Sequence, residues 1–394
     1  MASASATGLL RIAPVVRGTL AERTGDDDMP FAPVILGSLA DDAAVAFASE
    51  GDEVQAKDGV PEAVRELTEP PLWLSGAELE GSGDVLGEKV AAAVDEYRQG
   101  HDANPEVVCV SGEGLLYVLA KPCRDGGPLA NKVAVVTGGA GAIGHGVIRG
   151  LLEQGSYVAA TDLPGDALNN VEKEFTEIAG DRIRGLPMDV TDADSVAEGF
   201  AQLVTAWGGV DIVIVNAGLA HVSSLSEVDL EAFRKLERVN VEGTLLTIRE
   251  STDILKRQGT GGDIVLVSTK NVFAPGARFG AYSATKAGSH QLARVASLEL
   301  AEYGVRVNMV SPDAVFSDGD LKSGLWAAVG PDRMRARGLD EKGLEEYYQN
   351  RNLLKARVTA RHVANAVLFF VTHQTPTTGA TIPVDGGLPD ATPR

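Results

Sequence analysis

The stretch LVSTKNVFAPGARFGAYSATK, residues 266–286, crowds Ser268, Thr269, Tyr282, Ser283, Thr285 and Lys286 into one short span. Lys286 follows Tyr282 by four residues. On a helix that spacing puts the amine one turn beyond the phenol on the same face. A neutral tyrosine, with an unperturbed pKa of about 10, is a poor base at physiological pH. An ammonium beside it favours the phenolate, which can then take the proton of an alcohol as its carbon is oxidised. A tyrosine and lysine at this spacing are also common on ordinary helix surfaces. The chemical reading therefore depends on what stands around them.

Upstream, VAVVTGGAGAIG (133–144) runs an apolar strand into a glycine-rich turn and a helix, with Thr137, Gly138 and Gly144 at the junction. Glycines there let the backbone approach a pyrophosphate, and a helix N-terminus offers unpaired N–H groups and partial positive charge. Asp162 ends the next strand, 18 residues after Gly144. An acidic side chain at that place can accept hydrogen bonds from the hydroxyls of an adenosine ribose. No Lys or Arg stands beside it or within the glycine turn to receive a 2′-phosphate. The expected cofactor is NAD rather than NADP.

The elements that must position these groups are legible from about residue 129 onward. KVAVVTGG, YVAATDL, VDIVIVNAG, DIVLVST and VRVNMVSP are near-continuous apolar strands separated by helical stretches such as HGVIRGLLEQG. Strands apolar on both faces and alternating with helices indicate an α/β fold, a doubly wound parallel sheet whose ligand crevice lies at the carboxyl ends of the strands. Ahead of the turn-rich connector CRDGGPLANK (123–132), residues 1–128 read as a smaller acidic α/β domain of unknown role. APVILG (32–37) and DEVQA (52–56) are expected strands, DDAAVAFASEG a helix, and DVLGEKVAAAVDEYRQG a helix ending at Gly100. VVCV and LLYVLA flank SGEG as a strand–turn–strand unit.

Composition sets the outer bounds. The 394 residues suit two domains, 44% of them are hydrophobic, and the formal charge is −20. Residues 1–128 carry 9 Lys/Arg against 23 Asp/Glu. That acidity argues against nucleic acid and reads as a solvated, self-repelling surface. Apolar runs are too short for a membrane span, and Arg11 and Arg17 interrupt the one signal-like stretch near the start. Cys109 and Cys123 read as reduced thiols, giving a cytoplasmic expectation. His145, His221, His290, His362 and His373 show no ligand spacing, so no metal is expected.

Taken together, TGGAGAIG, Asp162, MDV (188–190), NAG (216–218), Asn240 in VNVEG, Thr269, Tyr282, Lys286 and the closing VDGG (384–387) occur in the order found in short-chain dehydrogenase/reductases. The resemblance covers about residues 129–394. It implies nucleotide contacts at Gly138, Gly141, Ala142, Ile143 and Gly144, with Ala142 standing where the family has a glycine. Further contacts are implied at Asp162 and Leu163, at Asp189 and Val190, at Asn216, Ala217 and Gly218, and at Pro312 and Val315. The family's Pro-Gly is Pro312-Asp313 here.

The same resemblance implies that Lys286 also holds the nicotinamide ribose and that Asn240 holds a water in a proton relay. It places a serine 13 residues before the tyrosine, a position occupied here by Thr269. Threonine has the same donor and acceptor capacity. Ser268 is the alternative, and strand alternation allows only one of the two to reach the substrate. Lys270 and Asn271 are candidate substrate contacts or a solvated loop. VSTKN, SPDAVF and the ending TTGATIPVDGGLPDATPR further resemble the dehydrogenase half of bifunctional rhamnulose-phosphate aldolase/alcohol dehydrogenases, with residues 102–121 as a remnant of the aldolase region. With His101 as the only histidine before residue 129, aldolase chemistry is not expected.

The expected activity is NAD-dependent oxidation of an alcohol of a small polyol, hydroxyaldehyde or sugar derivative. The alternatives are reduction of a 3-oxo acid or other carbonyl, and an inactive nucleotide-binding scaffold. A homo-oligomer, tetramer or dimer, is expected from the helices beginning near Asn240 and Tyr282. The insertion at about 317–357 reads as a lid. Its cluster Arg333, Arg335 and Arg337 reads as a solvated helix face or as a clamp for a phosphate or carboxylate.

Overall fold

The computed structural model describes residues 4–50, 70–79, 81, 83–123, 126–317 and 324–391. The expected strand DEVQA lies outside them. The chain packs into two compact units, and each takes its residues from several stretches. One consists of the chain up to Val133 with Phe200–Asp211 and Thr252–Gly261; the other holds the remainder.

The first unit opens with helix α1 (Ala4–Leu20), which the sequence does not announce because Pro14 lies inside it and Arg11 and Arg17 break its apolar pattern. Strands β1 (Glu22–Arg23) and β2 (Phe31–Ala32) form a small antiparallel pair. Then come β3 (Ile35–Leu39), α2 (Asp42–Glu50), β4 (Leu72–Leu74), α3 (Gly76–Leu79), α4 (Asp84–His101), β5 (Val107–Val110) and β6 (Gly114–Ala120). Four of these strands make a sheet in the order β3-β6-β5-β4. Helix α4 runs one residue past Gly100, to His101, and closes at Asp102 in the left-handed region.

At the base of this unit Arg17 is buried with all its contacts internal. It forms an ion pair with Asp211 at 2.7 Å and donates to Gln258 Oε1 at 2.8 Å and to the Val34 carbonyl at 2.9 Å. Burial alone would raise the Asp211 carboxyl. Arg17, then Lys132, outweigh burial and hold it below the ordinary carboxylate value, helped by the Val133 N–H.

The second unit is the expected doubly wound sheet. Its strands are β7 (Val133–Thr137), β8 (Tyr157–Asp162), β9 (Ile183–Pro187), β10 (Ile212–Val215), β11 (Gly262–Val267), β12 (Val305–Pro312) and β13 (Thr381–Val384). They lie in the order β13-β12-β11-β10-β7-β8-β9, and every recorded pairing is parallel. Val133, Ala134, Val135, Val136, Val213 and Ile214 are all but inaccessible, as strands covered on both faces require. The helices are α5 (Ala142–Glu153), α6 (Asp166–Ala179), α7 (Ala193–Trp207), α8 (Leu230–Leu236), α9 (Gly243–Gln258), α10 (Gly280–Glu299), α11 (Gly324–Arg337), α12 (Glu341–Arg351) and α13 (Ala360–Val371). The chain order reverses between β7 and β10, so a crevice opens at their carboxyl ends.

Candidate active site

A cavity of about 760 Å³ occupies that crevice, within the range usual for small-molecule sites. Its floor is the turn after β7. Gly138 has φ +64°, and a Cβ there would fall 2.9 Å from the Ala217 Cα, so only glycine fits. A Cβ on Gly144 would meet the Gly138 carbonyl at 2.4 Å. Gly144 therefore lets the helix pack under the turn rather than lining the cavity itself. No side chain caps α5, which leaves its first-turn N–H groups for an anionic ligand. Gly141, Ala142 and Ile143 line the cavity above this helix start.

Asp162 and Leu163 close one side, with Asp189 and Val190 next to them. The Asp162 carboxylate is fixed by the Ala140 N–H at 3.0 Å and by the Leu163 N–H at 2.8 Å. Four lone-pair positions on a carboxylate leave capacity for a ribose diol. On the far side are Asn216, Ala217 and Gly218. Asn216 Nδ2 donates to the carbonyls of Thr137 at 2.9 Å and Gly138 at 3.0 Å, tying this loop to the glycine turn. Pro312 and Val315 complete the wall. A dinucleotide fits this donor set: a glycine cradle, an uncapped helix start and a carboxylate at the end of the neighbouring strand.

The residues expected to do chemistry converge at the other end. Tyr282 and Lys286 lie on one face of α10, both buried and both lining the cavity. Thr269 stands beside Tyr282 in the cavity wall, near enough for its hydroxyl to lower the phenol's pKa against the effect of burial. Ser268 turns the other way, as alternation along a strand demands, and its hydroxyl lies 2.9 Å from His290 Nδ1. Both residues border the cavity, and Thr269 is the one whose hydroxyl acts on the tyrosine. Lys286 Nζ donates to the Val267 carbonyl at 3.0 Å.

The electrostatics differ from the simple expectation. Burial pushes Tyr282 up to about 12, partly countered by Thr269, and brings Lys286 down to about 8. For both groups the loss of solvent around the charged form is the leading cause. Asn240 is fully buried within a π-helical turn, Glu237–Glu242. Its amide accepts from the Leu219 N–H at 2.9 Å and donates to the Leu219 carbonyl and to Thr285 Oγ1, both at 3.0 Å. Both amide N–H groups are thereby used in joining the Asn216–Gly218 loop to α10, and only a lone pair on Oδ1 remains for a water.

Lys270 and Asn271 follow Thr269 in a 3₁₀ turn and are buried rather than solvated. Sequence reasoning passed over Met188, Thr191, Leu219, Lys235 and Asp313, all of which line the cavity. For Asp313 a signal existed in the replacement of the family's glycine. Its carboxylate is held in a two-point ion pair by Arg351 of α12.

A family model described as short chain dehydrogenase matches residues 132–326. An uncharacterised oxidoreductase, YuxG of Bacillus subtilis (strain 168), is 36% identical over 267 residues. That match takes in 67% of this chain, which spans 38% of the relative's length. Sorbitol-6-phosphate 2-dehydrogenase of Escherichia coli (strain K12) is 30% identical over 259 residues, 65% of this chain and 98% of the relative. The chain belongs to the short-chain dehydrogenase/reductase family. A solved sorbitol-6-phosphate 2-dehydrogenase from Erwinia amylovora superposes with a TM-score of 0.60 at 28% identity, over 65% of this chain and 98% of that one. Short-chain dehydrogenase/reductases are oxidoreductases that use a nicotinamide cofactor, and the cavity described here has the parts for one.

Proposed function

We propose that this chain is an NAD-dependent dehydrogenase acting on a primary or secondary alcohol of a small polyol, hydroxyaldehyde or sugar derivative. The observation that carries the reading is the meeting of Thr269, Tyr282 and Lys286 in the wall of a cavity floored by the glycine turn. The names of the sorbitol-6-phosphate relatives support the substrate class. The Asp162 carboxylate, facing the place of an adenosine ribose, supports NAD over NADP because it would repel a 2′-phosphate.

A bound NAD would supply the hydride acceptor. Tyr282 Oη takes the alcohol proton, and Thr269 Oγ1 holds the same substrate oxygen as charge develops on it. Lys286 lies one turn behind Tyr282, and its ammonium favours the phenolate. Asn240 holds the loop after β10 against α10, so that Gly218, Lys286 and Tyr282 keep their spacing. One observation favours a second reading, reduction of a carbonyl such as a 3-oxo acid. A phenol raised to about 12 is already protonated at neutral pH, the state needed to donate a proton to a forming alkoxide.

The free thiols Cys109 and Cys123 support a reducing, cytoplasmic setting. Among the described residues no helix is long and apolar enough to cross a membrane. Exposed Leu245 on α9 and Val295 and Leu298 on α10, the last 81% exposed, support a homodimer or tetramer built on these helices. The motif pattern shared with aldolase-fused dehydrogenases leaves residues 1–128 as a candidate remnant of such a partner domain.

The deciding experiment follows NADH formation across polyols, hydroxy acids and sugar phosphates, and NADH consumption with the matching carbonyls. Turnover lost in Tyr282→Phe with NADH affinity retained supports the reading. Measurable NADH binding without turnover of any compound would leave a scaffold.

A further inference from the structure

Beside Thr269 and Tyr282 the structure collects positive charge that the hydride-transfer chemistry does not use. Lys270, the next residue after Thr269, is 9% exposed. One of its three N–H donors goes to the Ala274 carbonyl at 2.9 Å, and the other two have no partner among the described residues. Arg333 of α11 is 5% exposed. Its Nε donates to the Tyr348 hydroxyl at 2.9 Å, and its guanidinium lies 4.5 Å from the Phe279 ring centre. Neither terminal nitrogen of Arg333 has a hydrogen-bond partner among the described residues. Phe279 in turn stands 6.0 Å, ring to ring, from Tyr282.

A third cation, Arg351, faces the same place but is committed. Both oxygens of Asp313 bind it, and its guanidinium packs 4.3 Å from the Tyr348 ring. Asp313, which lines the cavity, is the carboxylate acting on Lys270, and Arg351 takes up its charge. The other arginines of the lid do not join the cluster. Arg335 pairs with Asp332, and Arg337 donates to the Tyr347 hydroxyl at 3.1 Å, both at the exposed surface. The clamp expected at Arg333, Arg335 and Arg337 is thus replaced by a different set, assembled from the turn after β11 and the buried face of α11.

Resting on the dehydrogenase reading above, we propose that Lys270 and Arg333 form a binding site for an anionic group, a carboxylate or a phosphate, carried by the substrate. Two buried cations whose donors find no further partner among the described residues cost free energy in an apolar setting unless an anion meets them. Burial, then repulsion from Arg351 and, more weakly, from Arg333, drives Lys270 below the ordinary lysine value, against the pull of Asp313. An oxyanion seated between the two cations relieves both effects. Arginine's fork also suits the geometry of either oxyanion. Arg333 packs on the Phe279 ring and that ring packs near Tyr282, which brings the cation close to the reacting end of the cavity.

The test compares kcat/KM within matched pairs, sorbitol 6-phosphate against sorbitol and 3-hydroxybutyrate against 1,3-butanediol. It uses the full chain and the variants Lys270→Gln, Lys270→Arg and Arg333→Lys. NADH affinity is measured on each protein to report an intact nucleotide site. The expected result is that the native chain prefers the anionic member of one pair. Lys270→Gln should lose about tenfold to a hundredfold of that preference, the scale of one charge-assisted hydrogen bond. Lys270→Arg should keep most of it, whereas Arg333→Lys, which loses the fork and its packing on Phe279, should lose part of it. Which pair responds distinguishes phosphate from carboxylate. Preference for the neutral member in both pairs overturns the proposal alone, and so does an unchanged ratio in Lys270→Gln. Absence of turnover for all four compounds, with NADH bound, overturns the dehydrogenase reading and this proposal with it.

Discussion

Replacing Thr269 by valine removes one hydroxyl and keeps the shape of a side chain that is 6% exposed. Two interactions go with it. The first is the long bond from the Asn271 N–H, 3.3 Å, which belongs to the turn after β11. Its loss costs about 0.5–1 kcal/mol of stability. The second is the contact with Tyr282, which acts against the burial that pushes that phenol up to about 12. Beside the ionised tyrosine that takes the alcohol proton, the Thr269 hydroxyl can donate a charge-assisted bond worth about 1.5–3 kcal/mol. The substrate oxygen loses the same donor. Turnover should therefore fall by about tenfold to a hundred-and-fiftyfold. Thr269→Ser, which keeps the hydroxyl, should stay near the native rate. Ser268→Ala is the control: it breaks only the 2.9 Å contact to His290, whose own pKa burial lowers, and should cost about 1 kcal/mol of stability with little change in rate. Initial rates from NADH absorbance, with thermal melts alongside, separate the two effects. The reasoning is refuted if Ser268→Ala loses the activity while Thr269→Val keeps it.

Asp162→Ala should shift preference towards NADP, by weakening NAD binding and removing repulsion from a 2′-phosphate; calorimetry with both cofactors reads it. Lys286→Ala should weaken both turnover and NAD affinity, whereas Tyr282→Phe should abolish turnover with affinity nearly intact, and fluorescence titration with NADH separates them. Arg17→Met strands Asp211 as a buried carboxylate with Lys132 at 4.0 Å as its remaining cation, and should cost about 3–5 kcal/mol in denaturant melts. Because the folded Asp211 lies below its ordinary value, the stability from this pair is complete above the normal carboxylate range. It is lost as pH falls through the folded value, and Arg17→Met should flatten that acid limb.

The parallel sheet was legible because its central strands are apolar on both faces, a pattern that needs no long-range information. Its edges were harder to see. In β9, Arg184 is exposed between buried Ile183 and Leu186, and in β13 no residue is buried. Helix α1 was hidden by Pro14 and by two arginines, one of which proves to be a buried ion-pair partner. At the site, the order of motifs located the cavity, and extended backbone past β11 turns the Ser268 hydroxyl to His290 while Thr269 stands by Tyr282. The positions of Lys270 and Arg333 could not be read in the same way. They meet only because the turn after β11 and helix α11 converge, and the sequence pattern around Arg333 suits a solvated helix equally well.

The bonds of Arg17 also bear on how the chain is made. Its partners Asp211 and Gln258 lie 194 and 241 residues further along. Helix α1 leaves the ribosome before them, carrying Leu9, Ile12, Val16 and Leu20, all of which end up buried. At ordinary rates of synthesis it then waits about ten to fifty seconds for the residues that neutralise its arginine. The unit that holds α1 therefore closes only after Gln258 has been made. A chaperone that holds the apolar face of α1 over that interval would raise the yield of folded protein more than one acting on the finished chain.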